Sequence, residues 1–333
     1  MDLIHQLPDR LLFAIPKKGR LHEHCVSLLR GADINFHRYN RLDIALVKNL
    51  PIALVFLPAP DIAKFVGEGN VDLGITGQDM VEECQVTDKI DKILELGFGC
   101  CKLQVQVPIK SGINQIEELV GKKIVTSFDV LASKYFAEID QKYLNDEDKA
   151  EGKKTKIEYV SGSVEAACAL GLADGIIDLV GELLKIILKK LIRSLAQNPF
   201  ANTNFFTSLE TGETMKVAGL KAISTVLETQ AILIRNKNPS NPSLVSKITS
   251  RIKGVIAAKK YVLLNYNVLR DDLKEATKLT PGRQAPTISP LENSNWVEVQ
   301  SMVGKDDVAE VMDKLEEIGA RDIMLFKIDN CRV

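Results

Sequence analysis

The sequence predicts an α/β fold built from two successive α/β units and a smaller C-terminal domain. Short apolar segments alternate with helical patterns through residues 11–180, which is typical of parallel strands joined by crossover helices. A stretch rich in turn-forming residues, 236–243, then marks a boundary. The segments after it follow the order βαββαβ, which is the order of a split-βαβ sandwich.

The first unit begins with an apolar strand, Leu11–Ile15, that runs into Lys17-Lys18-Gly19-Arg20 and a helical pattern. The later elements predicted for this unit are strands at Arg41–Leu46 and Ile52–Phe56, a helix at Asp61–Glu68, and a buried strand at Val71–Thr76 that ends at Gly77.

The second unit follows a connecting strand at Leu103–Pro108. Its predicted elements are a short helix at Ile116–Val120, a strand at Lys123–Thr126, a helix at Leu131–Glu138, a strand at Lys156–Val160, a helix at Glu165–Ala173 and a strand at Gly175–Val180. Two units joined by crossing strands predict a cleft between lobes, a common place for small ligands.

The C-terminal domain is predicted from periodicity. Its elements are a helix at Leu244–Ala257, strands at Lys260–Asn267, Ala285–Ser289, Trp296–Val303 and Ile323–Ile328, and helices at Arg270–Lys278 and Val308–Ile318. Such a domain could be regulatory, or serve only as structure or as an oligomer interface, and fold alone does not choose between them.

Composition excludes several classes of protein. The chain of 333 residues is 45% hydrophobic and carries a formal net charge of −1, so no basic excess indicates a nucleic-acid partner. We see no signal peptide and no apolar stretch of the roughly 20 residues that a membrane span needs. The six cysteines show no zinc spacing, and we expect reduced thiols in a cytoplasmic protein.

Two strand ends in the first unit could bind phosphate. Lys17, Gly19 and Arg20 lie where a strand gives way to a helix, whose N-terminus adds partial positive charge, although such a turn can equally be a solvated surface turn. The motif Gly-x-Thr-Gly-x-Asp ends the buried strand and would expose backbone N–H groups at the carboxyl end of a sheet. Its candidate residues are Gly74, Thr76, Gly77 and Asp79. The alternative is a tight turn with Asp79 as a helix cap.

A ribose and phosphate site is predicted further along the chain. Asp174 and Asp178 lie four residues apart, which suits the two hydroxyls of a ribose. A Thr-Gly-x-Thr turn suits a phosphate, because hydroxyls and free backbone N–H groups converge on one anion. The residues of this turn are Glu210, Thr211, Gly212, Glu213 and Thr214.

Together these motifs resemble the long form of the ATP phosphoribosyltransferase family, which opens histidine biosynthesis. The resemblance covers nearly the whole chain. The matching segments are 15–21, 41–45, 71–79, 162–165, 171–180, 210–215, 281–290, 296–297 and 319–323.

The resemblance implies a two-lobed catalytic unit like that of periplasmic binding proteins and a ferredoxin-like regulatory domain. Lobe I would comprise 1–105 with a returning segment at about 218–235, lobe II 106–217, and the regulatory domain 244–333. The implied reaction joins N1 of ATP to C1 of 5-phosphoribosyl 1-pyrophosphate (PRPP) and releases pyrophosphate, with Mg²⁺ required. Histidine would inhibit through the C-terminal domain, and dimers would assemble into hexamers.

The resemblance also implies residue roles. Asp174 and Asp178 would lie near the ribose hydroxyls, Thr211–Thr214 around the 5-phosphate, and Lys17 with Arg20 near ATP phosphate or pyrophosphate. Mg²⁺ would bridge pyrophosphate oxygens rather than occupy a cage of protein ligands.

One segment departs from the family pattern. Residues 181–209 separate the aspartate strand from the phosphate turn, which follow each other directly in the family. Their composition suits translated non-coding DNA, so we favour a retained intron or gene-model error, with a genuine surface insertion or an amphipathic membrane-surface or partner helix as alternatives. We expect the chain as written to bind PRPP poorly and a version without 181–209 to be active. A catalytically dead regulatory subunit or a ligand-binding protein is the alternative function.

Overall fold

The computed structural model describes residues 7–39, 42–144, 153–162, 164–181, 215, 218–292 and 295–332. The strands are β1 (Leu11–Pro16), β2 (Ile44–Leu46), β3 (Ile52–Leu57), β4 (Leu73–Gly77), β5 (Ile90–Glu95), β6 (Cys101–Pro108), β7 (Lys123–Thr126), β8 (Lys156–Tyr159), β9 (Gly175–Gly181), β10 (Leu220–Thr229), β11 (Ala231–Asn236), β12 (Tyr261–Leu269), β13 (Thr287–Pro290), β14 (Trp296–Gly304) and β15 (Arg321–Lys327). The α-helices are α1 (Arg20–Gly31), α2 (Ala59–Gly67), α3 (Gln78–Glu83), α4 (Asp129–Tyr143), α5 (Val164–Ala169), α6 (Pro242–Lys260), α7 (Leu273–Leu279) and α8 (Val308–Glu317).

The first sheet, within the described residues, has the order β2-β3-β1-β4-β11-β5. β1 and β4 pair in parallel, as the alternation of strands and helices predicts. β11 is antiparallel to both of its neighbours, so the sheet is mixed rather than parallel throughout. The reason is that the chain passes from β10 of the second sheet to β11 through a single residue, and not through a crossover helix.

The second sheet has the order β10-β6-β9-β7-β8 over the residues described. β7 is parallel to β8 and β9, whereas β6 is antiparallel to β9 and β10. The carboxyl ends of β7, β8 and β9 therefore share one edge. The helix predicted at Ile116–Val120 is a 3₁₀ turn, Ile116–Leu119.

The third sheet belongs to the C-terminal domain and is antiparallel, with the order β13-β14-β12-β15 in the part of the chain described. With α7 and α8 this is the predicted βαββαβ arrangement, preceded by α6. Alternate residues of β12 are buried, as expected for a sheet covered on one face. Among them Tyr266 is fully buried, and its hydroxyl is hydrogen-bonded to Thr280 Oγ1 at 2.7 Å.

Two of the hydrophobic cores among the described residues hold these sheets together. One joins elements of the first and second sheets and includes Ile62, Val105, Ile124 and Phe136. The other lies inside the C-terminal domain. The chain divides into two compact units, one comprising residues up to 11, 23–54 and 240 onward, the other 12–22 and 55–239. The lobe boundaries expected from the sequence stay predictions. None of the helices within the described ranges has the length and apolar character that crossing a bilayer requires.

Candidate active site

The loop after β1 gathers the first group of predicted phosphate ligands. Lys17, Gly19 and Arg20 are all exposed, and Arg20 begins α1. The Lys17 backbone N–H donates to the Leu57 carbonyl at 2.9 Å, which fixes the loop beside the end of β3. Gly19 has φ of 85°, a conformation that favours glycine. The structure therefore brings these three residues together at a strand end and a helix N-terminus, as predicted.

Gly74 does not lie at the strand end. It is buried inside β4, and a Cβ there would approach Ile62 Cγ2 to 2.7 Å and Val66 Cγ2 to 2.9 Å. The missing side chain thus lets α2 pack against the strand. Gly74 therefore lies within β4 and not at its end, and its contact with ATP or phosphate stays a prediction.

Thr76 and Asp79 direct their side chains to other parts of the protein. The Thr76 hydroxyl donates to the Ala59 carbonyl at 3.0 Å. The Asp79 carboxylate accepts the Thr229 hydroxyl at 2.7 Å, and the Asp79 backbone N–H donates to Thr229 Oγ1 at 3.1 Å. Burial raises the pKa of Asp79, and the hydrogen bond from Thr229 opposes that shift. In this structure both side chains are hydrogen-bonded to the protein interior, and their contact with ATP stays a prediction.

Gly77 remains available at the end of β4, half-buried and ahead of α3. A Cβ there would lie 2.1 Å from Asp79 Oδ1, so only glycine lets the carboxylate fold back in this way. Sequence reasoning missed Thr229, the partner of Asp79, because no local pattern connects residues so far apart in the chain.

The two predicted ribose-binding aspartates lie at different places along the second sheet. Asp174 precedes β9, and Asp178 lies within that strand. The Asp174 carboxylate accepts the Lys123 backbone N–H at 3.0 Å, at the amino end of β7 and β9. Four residues of extended chain span about 13 Å, so the two aspartates are separated along the strand and Asp178 lies nearer its carboxyl end. The contact of both carboxylates with one ribose stays a prediction.

Asp178 has a setting suited to a functional carboxylate. It is half-buried, and its Oδ1 accepts the Leu179 backbone N–H at 2.8 Å. Burial raises the pKa of Asp178, the Leu179 N–H opposes the shift, and the charge of Glu165 adds to it. Nearby on β7 the buried Thr126 hydroxyl donates to the Ile177 carbonyl at 2.8 Å. The Thr126 hydroxyl therefore binds within the second sheet, whereas the Asp178 carboxylate lies just beyond the last pair of β7 and β9.

The predicted phosphate turn, Glu210–Thr214, lies outside the described residues, as does 182–209 of the departing segment. Both flanks are described. β9 ends at Gly181, and Met215 is buried in a cluster with Val164 and Ile176 of the second sheet. The chain therefore reaches the second sheet again directly after the predicted turn.

Comparisons with known proteins agree with this arrangement. The family model described as "ATP phosphoribosyltransferase" matches residues 58–184 and 207–254, and "HisG, C-terminal domain" matches 258–330. ATP phosphoribosyltransferase of Yarrowia lipolytica is 54% identical over 333 residues, and that of Saccharomyces cerevisiae 51% over 334 residues, each across 100% of both chains. The solved ATP phosphoribosyl transferase (HisG:HisZ) complex from Thermotoga maritima aligns with a TM-score of 0.54 at 20% identity, covering 75% of this chain and 98% of that chain, which shows the fold. The predicted two-lobed α/β fold class with a C-terminal four-stranded domain is confirmed.

Proposed function

The chain belongs to the ATP phosphoribosyltransferase family and catalyses the first step of histidine biosynthesis, and on that basis we propose that it transfers the phosphoribosyl group of PRPP to N1 of ATP. The observation that carries the proposal is the identity of about half of all positions to proteins of that name over their full length. This full-length likeness does not favour the alternative of a dead homologue.

The reaction is a displacement at one carbon. N1 of ATP forms a bond to C1 of the ribose, and the bond from C1 to pyrophosphate breaks with its electron pair leaving on the pyrophosphate. The transition state has oxocarbenium character, so positioning and charge stabilisation supply most of the rate enhancement. In the proposal, Asp178 stabilises positive charge on the ribose, whereas Asp174 holds the amino end of β9 through Lys123.

The phosphates are proposed to bind at the loop ends. Lys17 and Arg20 supply positive charge for ATP phosphate or pyrophosphate, and the exposed N-terminus of α1 adds to it. Glu210–Thr214 would hold the 5-phosphate. Residues 185–206 fall outside the family match and inside the departing segment 181–209, which supports their being an addition to this turn.

A divalent metal, Mg²⁺ in the proposal, would be held by the substrate phosphates together with a carboxylate of the second sheet. Across the described residues no group of three or more His, Cys, Asp and Glu side chains could hold a metal ion. Mg²⁺ commonly binds one or two carboxylates together with substrate phosphates, and the half-buried Asp178 could supply one of them. When bound, the metal would neutralise charge on the departing pyrophosphate.

Histidine is proposed to bind in a cavity of the C-terminal domain. The cavity measures about 520 Å³ and is lined by residues that include Arg283, Thr287, Ser301 and Arg332. Two guanidinium groups can hold a carboxylate, and the hydroxyls and amides offer partners for an amino group and an imidazole. This chemistry supports feedback inhibition by the end product.

Self-association is proposed for the same domain. β15 is an edge strand whose Met324, Leu325 and Phe326 are 47%, 41% and 46% exposed. An apolar edge of this kind is a site for pairing with a second copy. Assembly from dimer to hexamer, a cytoplasmic location and the lack of nucleic-acid and membrane partners stay predictions.

The proposal is tested by pyrophosphate release from the full chain with ATP, PRPP and Mg²⁺. We expect release only when both substrates are present. Asp178→Asn should lower kcat by about 100-fold or more, in the range seen for groups that stabilise transition-state charge. Asp174→Asn on the same strand is the matched control and should lower kcat by less than about tenfold. Equal losses in the two variants would contradict the assignment of Asp178.

A further inference from the structure

Glu83 lies on α3, which follows β4 of the first sheet, and it caps α4, which follows β7 of the second sheet. Glu83 is the last residue of α3, and its Oε1 and Oε2 accept the backbone N–H groups of Val130 and Leu131 at 2.9 and 3.0 Å. Both N–H groups belong to the first turn of α4 and have no partner within the helix. Phe128, at the N-cap, makes no capping hydrogen bond with its side chain. α4 therefore receives from α3 the cap that its own sequence lacks.

The setting of Glu83 is unlike that of an ordinary surface cap. Its carboxylate is half-buried, and burial raises its pKa, with the neighbouring Asp129 adding to the shift against the two N–H groups. A helix end at the surface is usually satisfied by water or by a local side chain. Here the Glu83 carboxylate is partly removed from water to bind the first turn of α4, which packs with the second sheet. The contact therefore links elements of the two sheets, and the desolvation of the carboxylate opposes it.

α3 is also fixed at its other end. The Asp79 backbone N–H donates to Thr229 Oγ1, and the Gln78 N–H donates to the Gln230 carbonyl at 3.0 Å. Thr229 ends β10 of the second sheet, whereas α3 directly follows β4 of the first sheet. The short helix is thus held at both ends by the second sheet, and Glu83 supplies the contact at its C-terminal end.

The two ends of the Glu83 contact lie close in sequence to the proposed substrate edges. α3 begins directly after Gly77, at the carboxyl end of β4, and two residues separate α4 from the end of β7, in the sheet that carries Asp178. A change in the distance between α3 and α4 therefore changes the distance between the loop ends that receive the two substrates.

We propose that Glu83 is a positioning residue for phosphoribosyl transfer, whose carboxylate, by capping α4 from α3, holds the carboxyl-end loops of the first and second sheets at the spacing that the two substrates require. The inference rests on the proposed function for what the spacing serves. Glu83 touches neither substrate in this proposal and acts through α4.

The test compares Glu83→Ala with Glu118→Ala in the full chain. Glu118 is a matched control because its Oε1 also accepts two backbone N–H groups, those of Asn114 and Gln115 at 2.9 Å, but within the second sheet's own connections. For Glu83→Ala we expect faster amide exchange at Val130 and Leu131. We also expect KM for both PRPP and ATP to rise about tenfold with kcat within about twofold, because the binding-competent spacing becomes a minor population.

Two further variants separate charge from reach. Glu83→Gln keeps the length but only one of the two acceptor oxygens that Val130 and Leu131 use, so it should recover part of the lost affinity. Glu83→Asp keeps the charge but is one methylene shorter and should recover less. Glu118→Ala should leave both KM values unchanged. Unchanged exchange at Val130 and Leu131 in Glu83→Ala would overturn the cap, and faster exchange with unchanged KM would overturn the positioning role. A wild-type chain that releases no pyrophosphate would refute the proposed function instead, while amide exchange would still report on the cap.

Discussion

Replacing Thr229 by valine tests the buried contact that holds the N-terminal end of α3. The substitution keeps the branched shape but removes the hydroxyl that donates to the Asp79 carboxylate at 2.7 Å and accepts the Asp79 N–H at 3.1 Å. A hydrogen bond to a charged group contributes about 2 kcal/mol, and a buried N–H left without a partner costs about 1 kcal/mol more. We therefore expect Thr229→Val to lower the free energy of unfolding by about 3 kcal/mol at neutral pH.

The loss should depend on pH in a defined direction. Burial already raises the pKa of Asp79, and removing the Thr229 donor raises it further in the folded variant. The folded variant then binds more protons than the folded wild type, so its relative stability falls as pH rises. At a pH below the folded-state pKa of Asp79, this carboxyl is neutral in both the wild type and Thr229→Val. The loss of unfolding free energy in the variant should then shrink to about 1 kcal/mol.

Urea denaturation across a pH series measures this effect. Thr225→Val on the same strand is the matched control, because Thr225 is exposed and its hydroxyl accepts a hydrogen bond from the Gln104 side chain at 3.1 Å. We expect the control to change stability by less than about 0.5 kcal/mol at every pH. Equal deficits in the two variants, or a Thr229→Val deficit that stays constant with pH, would refute the assignment of Asp79 to the interior.

Three further changes test the packing of β4, the proposed histidine cavity and the departing segment. Gly74→Ala should cost about 1–3 kcal/mol of stability in urea denaturation, because its Cβ would lie 2.7 Å from Ile62 Cγ2, and a cost near zero would contradict this packing. Arg283→Ala should raise the histidine concentration for half-inhibition by about tenfold with KM for PRPP unchanged, and undiminished inhibition would move histidine to another site. Deleting 181–209 should lower KM for PRPP by about tenfold with KM for ATP nearly constant, whereas equal kinetics would show that the segment leaves the phosphate turn intact.

Much of the fold could be predicted from periodicity, because several strands are buried in regular patterns. β12 and β14 alternate between buried and half-buried residues over their length, and the sequence shows that alternation directly. The sheet to which each part of the returning segment, 218–235, belongs could not be predicted in this way. It consists of two strands in different sheets, β10 and β11, separated by one residue, and no local signal indicates a change of sheet.

The site was less predictable because its side chains have partners far away in the chain. Asp79 binds Thr229, and Glu83 binds the first turn of α4. Polar residues around position 79 therefore make contacts within the protein that the local sequence does not indicate. α4 also begins earlier than its sequence indicates, because the cap of its first turn comes from another element, and it ends later, at Tyr143. The spacing of Asp174 and Asp178 places them differently on a strand than on a helix: residues four apart lie close together on a helix but about 13 Å apart on a strand.

The connection between Val180 and Met215 shows why the departing segment should affect binding more than folding. Both residues are buried on the second sheet, so the ends of the connection are fixed whatever its length. Each doubling of a flexible loop costs about 0.6 kcal/mol, so the roughly sevenfold lengthening by 181–209 would cost about 2 kcal/mol, less than most folded domains have in reserve. The proposed phosphate turn comprises the last residues of this connection in the sequence, so we expect an added segment there to alter PRPP binding more than folding. The full-length relatives favour an active enzyme, and the added segment should therefore appear as weaker binding of PRPP, which deletion of 181–209 measures directly.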